Sequence, residues 1–265
     1  MTAQTEALAA RQPGPPWRPR VPWRPLLGLA LFLLIWESVP AIGLLPASLL
    51  PPPSAIPRTF WREIVDGHWL PAVGHSLRHY ALGLVIGTAG GVGLGVAIGL
   101  SRALDDGLSW IVRTLRPIPG LAWVPFAILW FGVSPAAAVF IIAIGVFWIN
   151  LFASAAAVQA VDRDLIELAD AFGRRTRLSK LIPVILPAAA PGILAGIRTG
   201  IGQAWMAVVA AELFGVPGIG QRMIQAASLI ATEIVVVCML TMAALYGLMD
   251  ALFLIIQARV MRWQG

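Results

Sequence analysis

Long apolar runs alternate with short polar breaks along this chain, and the lengths of the runs set the first expectation. Tyr80 to Leu100 contains no Asp, Glu, Lys or Arg, and neither does the 45-residue stretch from Pro117 to Val161. One helical crossing of a bilayer takes about 20 such residues. On that measure the pattern predicts six spans, at about Pro25 to Leu45, Val73 to Leu100, Leu108 to Phe131, Pro135 to Val158, Ala188 to Phe214 and Ile234 to Ile256. The third is interrupted by Pro117, Pro119 and Pro125. A broken helix at membrane depth is tolerated only where protein or a water-filled cavity satisfies the freed backbone groups. Five prolines between Pro46 and Pro57 end the first span, and Ser54 to Asp66 then reads as a short amphipathic surface helix with Ile56, Phe60, Trp61 and Ile64 on its apolar side.

Composition agrees with this pattern. The 265 residues are 58% hydrophobic and 12% charged, about half the charged fraction of a soluble domain, with a mean hydropathy of +0.82. A water-soluble globule is excluded. The net charge of +6 raises nucleic acid as a partner, but the basic residues are scattered between apolar segments rather than gathered on one face, which argues against it. The expected fold class is therefore an all-α polytopic membrane protein with six transmembrane helices. Residues 1–24 form an N-terminal tail, 25–258 the membrane domain and 259–265 a C-terminal tail. Arg11 to Arg24 is rich in Pro, Arg and Trp, and the apolar run after it lacks a small-residue cleavage site, so the tail is expected to be retained.

Orientation follows from the 19 basic residues, because cytoplasmic loops carry the excess of them. Fifteen fall on the side of the N-terminus, while Arg58, Arg62, Arg78 and Arg222 fall on the other. Leaving out Arg113, Arg116 and Arg198, which are expected near span ends, still gives 12 against four. Both termini, and the polar loop from Gln159 to Lys180, are expected in the cytoplasm, with the chain in a bacterial inner membrane.

Familiar enzyme motifs are missing. The only lysine is Lys180, outside any Gly-rich loop, so there is no P-loop, and no Gly-x-Ser-x-Gly elbow occurs. His68, His75 and His79 cluster at the start of the second span; they suggest a metal site or, more blandly, a polar collar. The single Cys238 offers no disulfide framework. Of the eleven tryptophans, Trp61, Trp69, Trp110 and Trp263 fall where an interfacial belt would place them. Trp123, Trp130, Trp148 and Trp205 lie deeper and are candidates to line a solute route. Glu37 and Glu212 are acids in apolar runs, costly in lipid unless they face protein or water, and Glu212 is either a route residue or a helix-to-helix hydrogen bonder. Gly83, Gly87, Gly91, Gly95 and Gly99 recur every fourth residue, a small-residue helix face suited to close packing in lipid.

The polar loop is the most specific feature. Between Gln159 and Lys180 it holds nine of the chain's 32 charges. Glu167-Leu168-Ala169-Asp170-Ala171-Phe172-Gly173, followed by basic residues and Leu186-Pro187, resembles the Glu-Ala-Ala loop of ABC-transporter membrane permeases that work with a solute-binding protein. A short helix carrying Leu168, Ala171 and Phe172 can lay its apolar side in a partner's groove, with Gly173 permitting the turn and Glu167 offering a carboxylate. The resemblance runs from about Trp36 to Trp263 and is nearest to the nitrate/sulfonate/taurine subgroup. Leu49-Leu50-Pro51-Pro52-Pro53-Ser54, Leu115-Arg116-Pro117-Ile118-Pro119, Ile128-Leu129-Trp130-Phe131-Gly132 and Val209-Ala210-Ala211-Glu212 carry it. Two departures stand out: Leu168 replaces the usual alanine, and Pro187 falls one residue later after Gly173 than in the usual pattern, with an extra Pro183 before it.

The resemblance implies a homodimeric permease whose loop between spans four and five couples it to two cytoplasmic ATPase subunits. It further implies a periplasmic or lipid-anchored binding protein that delivers a sulfonate, taurine or nitrate-like anion. No cofactor is expected on this chain, ATP being used by the partner. A membrane-embedded enzyme or a self-sufficient channel is the rival class.

Overall fold

The computed structural model describes residues 23–115, 117–174 and 176–262, and among them there are helices and turns but no strand. In chain order the helices are α1 (Trp23–Ala41), α2 (Ile56–Val65), α3 (Trp69–Leu100), α4 (Arg102–Leu115), α5 (Val124–Phe131) and α6 (Pro135–Gln159). The polar loop follows as α7 (Arg163–Ala171) and α8 (Arg177–Lys180), then α9 (Leu186–Glu212), α10 (Ile219–Ser228) and α11 (Thr232–Val260). The tail over residues 1–22, with Trp17, and Trp263 at the other end lie outside the described residues.

Among the described residues, five helical runs are long and apolar enough to cross a membrane: α1, α3, α6, the 36-residue run Arg177–Glu212 and α11. The remaining expected span, Leu108 to Phe131, is not one helix. It divides into amphipathic α4, which carries Arg102, Asp105 and Arg113, and the short apolar segment Gly120–Phe131. Pro117 and Pro119 cause the division, since each lacks the N–H a helix needs and pushes the residue before it out of the helical region. The eight residues of α5 rise only about 12 Å, against a hydrocarbon core of about 30 Å. Among the described residues, helix length and composition thus give five candidate crossings and one shorter apolar segment at the place of the broken third span.

The glycine row explains the central packing. Gly83, Gly87, Gly91 and Gly95 are all buried in α3 and face α6. A Cβ at Gly87 would stand 2.5 Å from the carbonyl oxygen of Ala143, and one at Gly91 would stand 2.5 Å from that of Phe147. Only hydrogen at these positions lets the two backbones approach so closely. On the other side of α6 lies a second row, Gly192, Gly196 and Gly200 of α9, against Ala157, Ala153 and Asn150. Its four-residue spacing was as visible in the sequence as that of the first row, although only the first was singled out. Where α3, α6 and α9 meet, Tyr80, Ile142, Val146, Ala204, Trp205 and Val208 form the main apolar core. By contrast α1 has no buried residue and joins the bundle through Glu37, whose carboxylate accepts from the Ser54 hydroxyl at 2.7 Å and the Ser54 N–H at 3.1 Å. Glu37 thus caps the turn after the first span.

Candidate functional site

Two places in this bundle carry chemistry: the charged loop at one end, and polar side chains inside the helices. In the loop, Asp162 caps α7 by accepting from the Asp164 N–H at 3.0 Å, and Asp164 adds a carboxylate to the first turn, where the helix dipole favours it. The far end closes on Gly173 at φ +81°, with Gly173 N–H donating to Asp170 O and Arg174 N–H to Ala169 O, both at 3.0 Å. That pair of bonds is a Schellman turn, which needs a left-handed residue at this position. Asp170 then pairs with Lys180 at 2.6 Å, and Lys180 is largely buried, so α7 is tied down onto α8. Thr176 caps α8 through the Ser179 N–H at 3.1 Å, and the Arg174 guanidinium donates to Ser179 O at 2.9 Å. Arg175 lies outside the described residues.

This bracing leaves one side of α7 outward. Leu168 and Phe172 are 55% and 79% exposed, while Ala169 is buried beneath them. Glu167 and Ala171 are also exposed. Leu168 and Phe172 border an open apolar cleft of about 480 Å³, closed on the far side by Pro183 and Pro187. Pro183 lies inside a single π-helical turn, Leu181–Ile185, and Pro187 follows it. A π-turn accommodates one extra residue within a helix. That accounts for Pro187 falling one residue later than the resemblance leads one to expect.

Inside the bundle, Glu212 is fully enclosed. Its Oε2 accepts from the Ser76 hydroxyl at 2.8 Å and the Gly220 N–H at 2.9 Å, and Oε1 lies 3.1 Å from Nδ1 of His79. The Ser76 hydroxyl accepts in turn from the Ile219 N–H at 2.9 Å. A side chain at Gly218 would collide with the carboxylate, and one at Gly220 with the Glu212 Cβ. Glu212 therefore binds α3, α9 and the start of α10 together. His79, 1% exposed, belongs to this network and not to an interfacial collar. His75 stacks on it with ring centroids 6.4 Å apart. No group of three or more His, Cys, Asp or Glu side chains able to hold a metal occurs among the described residues.

Trp205 stacks on Tyr80 at 4.7 Å between centroids. The indole nitrogens of Trp123 and Trp148 are buried without a hydrogen-bond partner. Trp130, in contrast, is 57% exposed and packs on Phe126 and Phe140. Trp61 and Trp110 lie exposed as belt residues should, but Trp69 hydrogen-bonds Thr241 at 3.0 Å and packs inward.

At the end of the bundle away from the loop, Glu63 of α2 is buried and grips Arg222 of α10 through two bonds of 2.9 and 2.7 Å. The hydrogen bond to Glu63 raises the Arg222 pKa above its ordinary value, so this cation stays charged and holds α2 down on the bundle. Sequence reasoning also overlooked the ion pair of Arg198 and Asp250, whose nitrogens and oxygens meet at 2.8 and 2.9 Å between α9 and α11. Arg198 had been counted near a span end, yet it has 12 residues of α9 before it and 14 after it. The signal was available: it is the lone charge in the run from Leu181 to Ala211.

The structure is thus a glycine-zipped helical bundle that displays a braced amphipathic helix on a charged loop. The chain belongs to the family described as binding-protein-dependent transport system inner membrane component, whose profile matches residues 89–262. It is a multi-pass inner-membrane transport subunit of the ABC class and not an enzyme. Among curated relatives it is 33% identical to the Bacillus subtilis chain named for aliphatic sulfonates transport, SsuC, over 99% of this chain and 95% of that one. It is 35% identical to the bicarbonate transport system permease protein CmpB of Synechococcus elongatus, over 74% of each chain. Among solved structures, the inward-facing MetNI methionine ABC transporter superposes with a TM-score of 0.58 at 22% identity, covering 73% of this chain and 94% of that chain. At that identity the likeness speaks for the fold.

Proposed function

We propose that this chain is one half of a homodimeric permease that imports a small oxyanion, a sulfonate, taurine, nitrate or bicarbonate, by alternating access. Two cytoplasmic ATPase subunits use ATP, and a periplasmic or lipid-anchored binding protein presents the solute. Residues Glu167 to Gly173 are the docking element: closure of the ATPase pair moves α7, and the Asp170–Lys180 pair carries that motion into the run of α8 and α9. The observation that carries this reading is the exposure of Leu168 and Phe172 on a helix otherwise braced at both ends. Leaving two large apolar side chains in water is unfavourable by roughly 1.5–3 kcal/mol each relative to burial, which favours a partner that covers them. The bias of basic residues supports a cytoplasmic loop; with Arg198 now assigned to the membrane interior it stands at 14 against four. Among the four deep tryptophans, the unpartnered indole N–H groups of Trp123 and Trp148 suit a polar lining better than Trp130 does.

The test is uptake by proteoliposomes holding the permease, its ATPase and its binding protein. ATP inside the vesicles is expected to drive accumulation of at least one of labelled taurine, ethanesulfonate, nitrate or bicarbonate. Uptake of all four at the level of vesicles without ATP would contradict the reading.

A further inference from the structure

Arg198 is a guanidinium with about 18 Å of helix on one side of it and about 21 Å on the other, at 1.5 Å per residue. Its side chain is nevertheless 48% exposed in the single chain, and that of Asp250 is 20% exposed. A charge at this depth is costly against hydrocarbon and is found facing protein or a water-filled cavity. The surface that bears the pair is therefore not a lipid-facing one. Its neighbours strengthen the point. Gly202, one turn further along α9, lies against Tyr246, one turn back along antiparallel α11; a Cβ there would stand 3.7 Å from the phenol oxygen. Trp205 continues the same side of α9 and stacks on Tyr80 with ring centroids 4.7 Å apart. A cation, a phenol and a Trp–Tyr stack thus succeed one another along the middle of a span.

We propose that Arg198 is the anion-binding group of the translocation route and that Asp250 is its exchangeable counter-charge. The inference rests on the oxyanion reading above. A planar guanidinium presents parallel N–H donors that match the paired oxygens of a sulfonate, a nitrate or a carboxylate as well as those of aspartate. In the absence of solute, Asp250 takes both donors and keeps α9 against α11. An arriving oxyanion takes the same fork, Asp250 turns to water, and the net charge in the membrane never has to be an unpaired cation. Because the exchange swaps one carboxylate-like partner for another, the solute is held without being trapped.

The experiment is the proteoliposome uptake assay with Arg198→Gln, Arg198→Lys and the double charge swap Arg198→Asp with Asp250→Arg. Arg198→Gln is expected to lower uptake of the transported anion at least tenfold. Arg198→Lys keeps the charge and the pair but lacks the fork, and is expected to lose at least threefold. The swap restores an ion pair between the helices, so complex yield and thermal midpoint should return toward wild type while uptake stays at least tenfold down. Wild-type uptake by either the swap or Arg198→Lys would show a purely structural pair and overturn the inference, leaving the importer reading intact. A wild-type complex that carries none of the four anions would overturn the oxyanion reading and this inference with it.

Discussion

Replacing Gly91 by leucine is expected to abolish assembly of the permease. The Cβ alone would stand 2.5 Å from Phe147 O, 2.9 Å from Asn150 Cβ and 3.1 Å from Leu151 N. Two of these three are backbone atoms, which cannot rotate aside, so α3 and α6 must separate along a contact that also involves Gly83, Gly87 and Gly95. Ordinary overpacking of a core costs about 1–3 kcal/mol, and prying apart a helix pair built on backbone contact exceeds that range. In detergent extracts the monodisperse peak of tagged protein should fall more than tenfold. Gly93→Leu is the matched control, since a Cβ at Gly93 meets nothing within 4 Å, and it should keep a wild-type peak. A wild-type peak for Gly91→Leu would mean that α3 does not seat on α6 through its glycines.

The second large effect is expected at Gly173, with a different signature. Nothing lies within 4 Å of a Cβ built on this residue, so a side chain there is opposed by the positive φ and not by crowding within the chain. The strain is on the order of 1 kcal/mol, too little to unfold the bundle. Gly173→Asp should therefore reach the membrane at wild-type yield. It also sets a new carboxylate beside Phe172, the most exposed apolar group of the docking element, where burial of an unpaired charge against a partner is strongly unfavourable. Co-purification of the ATPase subunit is expected to drop about tenfold, with solute-stimulated ATP hydrolysis falling in parallel. Wild-type values of both would remove the loop from coupling.

How much of this could be read in the sequence depends on the range of the interactions involved. The α3 glycine face was legible because a helix periodicity and a lipid solvent together leave few uses for five glycines four residues apart. The short helix before Gly173 was legible because its apolar positions and its terminal glycine lie within a few residues of one another. In span three the break was legible from Pro117, Pro119 and Pro125, whereas its division into amphipathic α4 and a short apolar segment was not, because hydropathy counts residues and not the helices they form. Glu212 was ambiguous for another reason. An acid in an apolar run says that a partner exists, but Ser76 and His79 lie more than 130 positions away. Arg198 was set aside for want of its partner, Asp250, 52 positions along the chain. Local chemistry is written in the sequence; pairings between spans are written in the packing.

The central claim is that the side of α7 bearing Leu168 and Phe172 is the surface on which the ATPase docks. Site-directed cross-linking tests it most directly, in a chain where Cys238, the single native cysteine, is replaced by serine. A cysteine at Phe172 is expected to cross-link to a cysteine introduced on the ATPase subunit, to do so in a nucleotide-dependent way, and to resist a membrane-impermeant thiol reagent added to intact cells. A cysteine at exposed Trp61, at the opposite end of the bundle, should show the reverse on both counts. Labelling of the Phe172 cysteine from outside, or a cross-link to the ATPase from Trp61 and none from Phe172, would contradict the account.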